Sequence, residues 1–522
     1  MHSHHTKITI DPVTRIEGHL KLEAVVDGGE VKEAACSGTL FRGFEIFLKG
    51  RDPIDAVRLT QRVCGVCPTT HATASAMAVD NALGMADKVP ANGRIIRNLI
   101  LGSNLLQSHV LHFYALAALD FVDVTAVADY AGANPHLKAV KDFIGRSHLE
   151  PFVPRYEGDY RLSKDANRQA TANYIRALEI RRLAQEMLSI FGGKMPHNVG
   201  IVPGGVTSAC TVDKIVAFRG KLTEIREFID NVYLPDVLAV AKVYADYARI
   251  GVGCKRLLAY GGFDQEAKLG DPTQRRRFLS AGRVTADLQL SPLDASKITE
   301  HVKHSWYTDD CAGAPGTAKT QPALGKADAY SWLKAPRYDG QPHEVGPLAR
   351  VAVAYVGGNE TVKAMVNSVL GELGVTTADI FSVLGRHAAR AIECKLVADA
   401  MDGWLSELRP GEPTCAEYVV PDEGVGMGLN MGPRGANGHW IQVKGKKIEN
   451  YQLVVPTTWN CSPKDANGQP GPVEQALMGA KVKDPKNPFE LVRIVRSFDP
   501  CLACSVHVIN AKGRELGRFR IA

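Results

Sequence analysis

The chain of 522 residues reads as a mainly helical α+β protein: a central bundle of long helices, an N-terminal β-hairpin sheet, and long ordered loops packed on the bundle. Three observations predict this class. Four stretches place apolar residues three and four apart over many turns, the first forty residues alternate apolar and polar in short runs, and the span from Gly261 to Pro347 is rich in glycine and proline. In chain order, the early runs are separated by Asp27-Gly28-Gly29, a hairpin signal because glycine reaches the positive φ that tight hairpin turns require. From Asn92 to about Val122 the apolar spacing predicts one long, mostly buried helix. A second runs from about Asn167 to Phe191 and stops at Gly192-Gly193; a third runs from about Asp213 to Ile250 with a kink at Pro235. The fourth opens at Thr376, where Asp379 three residues on completes a capping box, and ends near Leu408 before Pro410.

This pattern divides one intertwined body into a β region (1–50), a helical bundle core (51–260 and 370–410), a loop-rich insertion (261–369), a C-terminal region (411–507) and a tail (508–522). There is no internal repeat and no low-complexity tract. A net charge of +6, with lysines and arginines interspersed among acids, is not the footprint of a nucleic-acid-binding surface. No apolar run approaches the 18 or more residues of a membrane span. The opening MHSHHTKITIDP lacks the basic-then-apolar order of a secretory leader, so export would depend on something else. Of 11 cysteines, seven (Cys36, Cys210, Cys254, Cys311, Cys394, Cys415 and Cys461) show no pairing pattern and read as reduced, buried small hydrophobes.

The other four form two CxxC knuckles at opposite ends of the chain: Arg62-Val63-Cys64-Gly65-Val66-Cys67, and Asp499-Pro500-Cys501-Leu502-Ala503-Cys504. Two thiolates in a CxxC unit chelate one ion, and thiolate sets favour soft metals over magnesium or calcium. A structural zinc site is the plain alternative. Such sites draw their knuckles from a short stretch and staple a small fold, whereas Cys64 and Cys501 lie 437 residues apart in a chain with its own large core. Each knuckle is followed by a histidine, His71 and His507.

The wording RVCGVCPTTH together with DPCLACSVH resembles the large subunit of nickel-iron hydrogenases of the uptake or respiratory type, over essentially the whole chain. DPVTRIEGH (Asp11 to His19), SGTLFRGFE (Ser37 to Glu45), GGKMPH (Gly192 to His197), KAPRYDG (Lys334 to Gly340), EVGPLAR (Glu344 to Arg350), GPRG (Gly432 to Gly435) and VVPTTWN (Val454 to Asn460) agree with it. The resemblance implies that Cys64 and Cys501 bind nickel terminally. Cys67 and Cys504 would bridge nickel to an iron carrying carbon monoxide and cyanide. Hydrogen would then be split heterolytically, with the Cys501 thiolate taking the proton and Glu17 relaying it outward. Arg434, permanently charged and rich in donors, would stand above the metals; Pro433, Asp499 and Thr457 would complete the surround, Thr457 as a hydroxyl donor to cyanide. Glu45, the Leu453 carbonyl and His507 would hold a magnesium or similar ion with several waters.

One departure stands out. Family members often carry Asp-His before the segment that here reads Val110-Leu111-His112-Phe113-Tyr114, and this chain has Ser108-His109. Ser108 cannot pair with Arg434, which leaves Asp499 as the candidate counter-charge. The resemblance also implies a separate iron-sulfur small subunit, since no further clustered cysteines occur here to hold iron-sulfur centres. It implies metal-insertion proteins, and an endopeptidase that removes residues 508–522 after His507. The partner would carry the chain to a periplasmic or membrane-associated location, a cytoplasmic one staying open. Two other readings compete: a hydrogen sensor, which would end near the final histidine, and a metal-free subunit like the quinone-site subunit of respiratory complex I, which does not retain all four cysteines.

Overall fold

The computed structural model describes residues 6–505 apart from 147–148, 150–151, 267–272 and 274, and excludes the side chains of residues 504 and 505. His507 and the tail 508–522 lie outside the described residues.

The N-terminal strands Thr6–Ile10, Leu20–Asp27 and Glu30–Gly38 form an antiparallel sheet in sequence order. Strict alternation of buried and half-buried residues along Leu20–Asp27 seats one face on the core. The turn between the second and third strands places Gly28 at φ 59° and Gly29 at φ 78°, two consecutive positive values that account for the glycines.

The four long helical stretches are present and pack on one another. Helix Ala91–Leu111, buried on nearly every side, lies between Lys164–Gly192 and Val383–Glu407, and Val212–Phe228 packs against both of these. Ser163 caps Lys164–Gly192 by accepting from the Ala166 N–H, and Gly193 at φ 79° ends it. The third stretch is helical without a break but irregular just before Pro235, and it ends at Val243, short of Ile250. Val212–Phe228 passes through a wide turn at Ile229–Tyr233 into Leu234–Val243, and Pro235 sits in the first turn of that segment, where its missing N–H costs little. The fourth starts later than Thr376. The Thr376–Asp379 capping box exists but closes a single short turn, Thr377–Asp379, and the long helix begins at Val383 under a Ser382 cap. Among the described residues, no helix is long and apolar enough to cross a membrane.

Two elements carry the site. Helix Pro68–Ala82 is buried over almost its whole circumference. Against it lies an antiparallel sheet of Glu423–Gly432, Gly435–Lys444 and Lys447–Val454. Gly424, Gly426 and Gly428 bring the first strand so close that an added Cβ would stand 2.3, 1.9 and 2.0 Å from the carbonyl oxygens of Ala82, Ala78 and Ala74. The helix and strand therefore meet backbone to backbone, and both lead straight into the site: the helix starts at Cys67, and the strand ends at Gly432, before Pro433 and Arg434.

Candidate metal centre

The first knuckle follows helix Pro53–Leu59 and the turn Thr60–Val63, after which Cys64 goes extended (φ −147°, ψ 142°). Cys67 is the N-cap of Pro68–Ala82, with proline in the first turn. The partial positive charge of a helix start favours thiolate there. Cys64 Sγ accepts from the backbone N–H of Val66 at 3.2 Å and of Cys67 at 3.3 Å, so its charge is stabilised before any ion arrives.

The second knuckle follows helix Phe489–Ser497. Arg496, on that helix, donates to the Thr14 carbonyl at 3.0 and 2.9 Å and to Asp120 at 2.5 Å, while Arg15 donates to the same Asp120 oxygen at 2.5 Å. This clamp draws the segment leading to Glu17 onto the segment leading to Cys501. The two then pair through their backbones: Glu17 N–H donates to Pro500 at 3.3 Å and Leu502 N–H to Glu17 at 2.7 Å. Gly18, at φ 80°, is required by the approach, since a Cβ would lie 2.6 Å from Ala503 N.

The ends of the chain thus meet. Cys64, Cys67 and Cys501 are buried with their sulfurs within 4.8 Å of one another, and Cys64 and Cys501 are 3.3 Å apart. Two sulfurs at that separation share a proton or a cation, because two bare anions would repel. The Cys504 backbone continues in the helix Leu502–Ser505; its side chain lies outside the described residues.

Glu17 Oε2 accepts from the Cys501 thiol at 3.1 Å and from the Ala503 N–H at 2.9 Å. Burial pushes its carboxyl above the usual range, with the Cys64 charge adding to the effect and the bonds from Cys501 and Ala503 opposing it. Cys501 N–H donates to Thr457 Oγ1 at 2.9 Å, which leaves the Thr457 hydrogen available to another acceptor. Thr457 belongs to a short helix, Pro456–Asn460. Cys67, Cys501, Pro433, Arg434, Thr457 and His71 line one small cavity.

Arg434 is buried, with Nη2 3.0 Å from Asp499 Oδ1 and Nη1 donating to Ser108 Oγ at 3.4 Å. Asp499 is therefore the counter-charge, and Ser108 supplies a neutral acceptor. Burial alone would lower the Arg434 pKa, but Asp499 and the sulfurs of Cys501, Cys67 and Cys64 hold it well above its ordinary value. The ion pair is not aligned as a hydrogen bond: Nε and Nη2, and both Asp499 oxygens, have no hydrogen-bond partner among the described residues. Orphaned donors beside three gathered thiols fit a metal pair with small acceptor ligands.

The loop that presents Arg434 is held from behind. Arg350 donates to the Pro433 carbonyl at 3.3 Å and grips Glu393 with two bonds of 2.5 and 2.6 Å, while His109 Nε2 lies 2.8 Å from Glu393. Burial opposes the Glu393 charge, yet Arg350 and His109 outweigh it and pull the pKa from 4.5 down to about 2. A folded-state value below the unfolded one gives stability that is full above the unfolded pKa and is lost as pH falls through the folded one. Glu393→Gln is thus expected to cost about 3–5 kcal/mol at pH 7, because it strands Arg350. In urea titrations this gap to wild type should close between pH 4.5 and about 2; a gap independent of pH would refute the pairing as its cause.

Glu45 and Leu453 also meet. Glu45 Oε1 accepts from the Leu453 N–H at 2.9 Å, and Oε2 accepts from the Thr320 hydroxyl. Lys334 stands between two carboxylates, 4.0 Å from Glu45 and 3.1 Å from Glu300. Sequence reasoning did not reach the surroundings of His71, or the Glu393 and Arg350 support; both are buried polar side chains on apolar-looking elements.

A family profile described as nickel-dependent hydrogenase matches residues 42–507, and one described as HoxL-like matches residues 7–37. The chain belongs to the nickel-dependent hydrogenase family. The large subunit of the periplasmic NiFeSe hydrogenase of Desulfomicrobium baculatum is 42% identical, over 98% of this chain and 96% of its own length. The hydrogenase-2 large chain of Escherichia coli K12 is 36% identical over 99% of both chains. The solved Ni-Fe-Se hydrogenase of Desulfovibrio vulgaris Hildenborough in the reduced state superposes with a TM-score of 0.84 at 43% identity, covering 96% of this chain and 100% of that one. This hydrogenase chain is accordingly an oxidoreductase large subunit with the mixed helix-and-sheet fold of its solved relatives, and family membership implies a nickel-iron centre and a small-subunit partner. All four knuckle positions of this chain are cysteine.

Proposed function

We propose that the chain turns over molecular hydrogen at a nickel held by Cys64, Cys67, Cys501 and Cys504, with Cys67 and Cys504 shared with an iron that carries carbon monoxide and cyanide. When bound, this pair supplies the heterolytic splitting of hydrogen and takes up its two electrons. The chain's own residues handle the proton. Cys501 sulfur accepts it, and Glu17 Oε2, 3.1 Å away, receives it next. The upward shift that burial gives the Glu17 carboxyl suits a group that must hold and release a proton. Arg434, through N–H groups with no hydrogen-bond partner among the described residues, and Thr457, through its hydroxyl hydrogen, would donate to the cyanide ligands. Asp499 holds the guanidinium in place, and Pro433 shapes the wall. The observation that carries this reading is the convergence of three buried thiols with a carboxyl on one of them.

Around this centre we place a magnesium or similar ion on Glu45, the Leu453 carbonyl and His507. The electrons leave to a small subunit carrying iron-sulfur clusters. Metal-insertion proteins and an endopeptidase acting after His507 complete the centre, and the assembly works in the periplasm or at the membrane through its partner. Protein matured in a competent host is expected to contain nickel and iron and to show infrared bands of iron-bound carbon monoxide and cyanide. Zinc alone, without such bands, would defeat the reading.

A further inference from the structure

A second cavity, sharing no lining residue with the one beside the thiols, opens between helices Lys164–Gly192 and Leu234–Val243. Its walls are apolar and aromatic, formed in part by Phe113, Tyr114, Val122, Tyr174 and Val240. Gln169 and Ala239, both exposed, stand at its mouth. Among the described residues, Asp236 is the one charged side chain that lines it. Two irregular stretches of helix build this place. Ala91–Leu111 continues into a wide turn, His112–Ala117, just as Val212–Phe228 continues into Ile229–Tyr233, and such turns shift side chains out of regular helical spacing. Tyr114, inside the first, donates through Oη at 2.7 Å to Oδ2 of Asp236, which follows the second.

Asn173 is the other partner. Gln169 Nε2 donates to Asn173 Oδ1 at 3.0 Å, which turns the amide so that its Nδ2 faces Asp236, 3.1 Å from Oδ1 and 2.9 Å from Oδ2. Both partners of the carboxylate are thus neutral donors, and Asp236 forms no ion pair among the described residues. Oδ1 accepts a single bond and has a lone pair to spare. Burial raises this carboxyl above the usual range, and the bonds from Tyr114 and Asn173 only oppose the rise. An anion in an apolar wall calls for a cation. The rest of the wall decides which. Magnesium and calcium take about six or more oxygen ligands, and one carboxylate cannot supply them. A sugar or nucleotide would find too few polar partners. An organic ammonium needs only a few acceptors: its alkyl part suits Val122 and Val240, and aromatic rings such as Phe113, Tyr114 and Tyr174 attract its charge.

We propose that this cavity is a binding site for a small aliphatic ammonium, whose head pairs with Asp236 Oδ1 and whose chain lies along the apolar wall. The site is independent of the metal centre. Calorimetric titration of the wild-type enzyme with n-hexylammonium chloride is expected to show saturable binding at one site per chain. n-Hexanol, with the same alkyl chain and no charge, should bind about tenfold more weakly or worse, the scale of a hydrogen bond between charged groups. Asp236→Asn keeps an oxygen for Tyr114 and Asn173 but removes the charge, so the preference for the ammonium should vanish. Ala239→Leu narrows the mouth without touching the carboxylate and should weaken both probes. Circular dichroism and metal content at the wild-type level in each variant separate lost binding from lost folding. If Asp236→Asn does not fold, the hexanol comparison and Ala239→Leu decide the matter. Equal affinity of the wild type for the two probes, undiminished hexylammonium binding in Asp236→Asn or Ala239→Leu, or no saturable binding at all would overturn the proposal.

Discussion

Glu17→Gln is expected to lower hydrogen turnover by about 10²–10⁴-fold, the scale on which a positioned acid–base group contributes, while nickel and iron remain at the wild-type level. Glutamine has nearly the shape of glutamate, and its amide oxygen can still accept the Ala503 N–H that now binds Oε2 at 2.9 Å. The backbone pairing of Glu17 with Pro500 and Leu502 does not involve the side chain and survives the change. What is lost is a titratable oxygen 3.1 Å from Cys501 sulfur. Turnover with an artificial electron acceptor and exchange of hydrogen against deuterated water should fall together, since both need the proton to leave. Normal turnover would remove the relay assignment.

Arg434 gives the second large effect, and two substitutions separate its roles. Arg434→Leu strands the buried Asp499 carboxylate, now 3.0 Å from the guanidinium. Loss of one partner of a buried pair costs about 3–5 kcal/mol. Arg390, whose charge also acts on Asp499, places the loss at the lower end, about 3 kcal/mol. Arg434→Lys keeps the charge and should keep most of that stability. It loses the planar fork whose Nη1 reaches Ser108 and whose Nε and Nη2 have no hydrogen-bond partner among the described residues. If those donors serve the reacting centre, the lysine variant should fall about 10²–10³-fold in turnover, as when one preorganised donor is removed. Urea midpoints and turnover of the two variants check this. Wild-type turnover in Arg434→Lys would show that the fork is not used.

Helices with large apolar residues recurring at three and four spacing were legible in the sequence, as were the hairpin glycines and the cysteine knuckles. Helix Pro68–Ala82 was not, although it carries the first knuckle. Its run of alanine, serine and threonine is buried on all sides, so no stripe distinguishes an inner from an outer face. Strand Glu423–Gly432 was hidden for the opposite reason. Glycine at every second position reads as a loop, yet here glycine is what lets the strand touch a helix backbone. Thr376 and Asp379 carry an authentic cap signature but close only one turn, because the chain must bend again before Ser382 can start the long helix. At the site, the thiols, Glu17, Arg434 and its Asp499 partner were readable from motif wording. Glu393 was not, since what joins it to Arg350 and His109 is the packing of helices far apart in sequence.

The backbone bonds that tie Glu17 to Pro500 and Leu502 also set a timetable for biosynthesis. An N-terminal stretch whose anchor lies 484 residues downstream must wait, through translation of nearly the entire polypeptide, before its closing partner leaves the ribosome. Contacts of such long sequence separation form late because so much loop entropy has to be lost first. Glu17 and the second knuckle therefore close on each other only after the chain between them has been made.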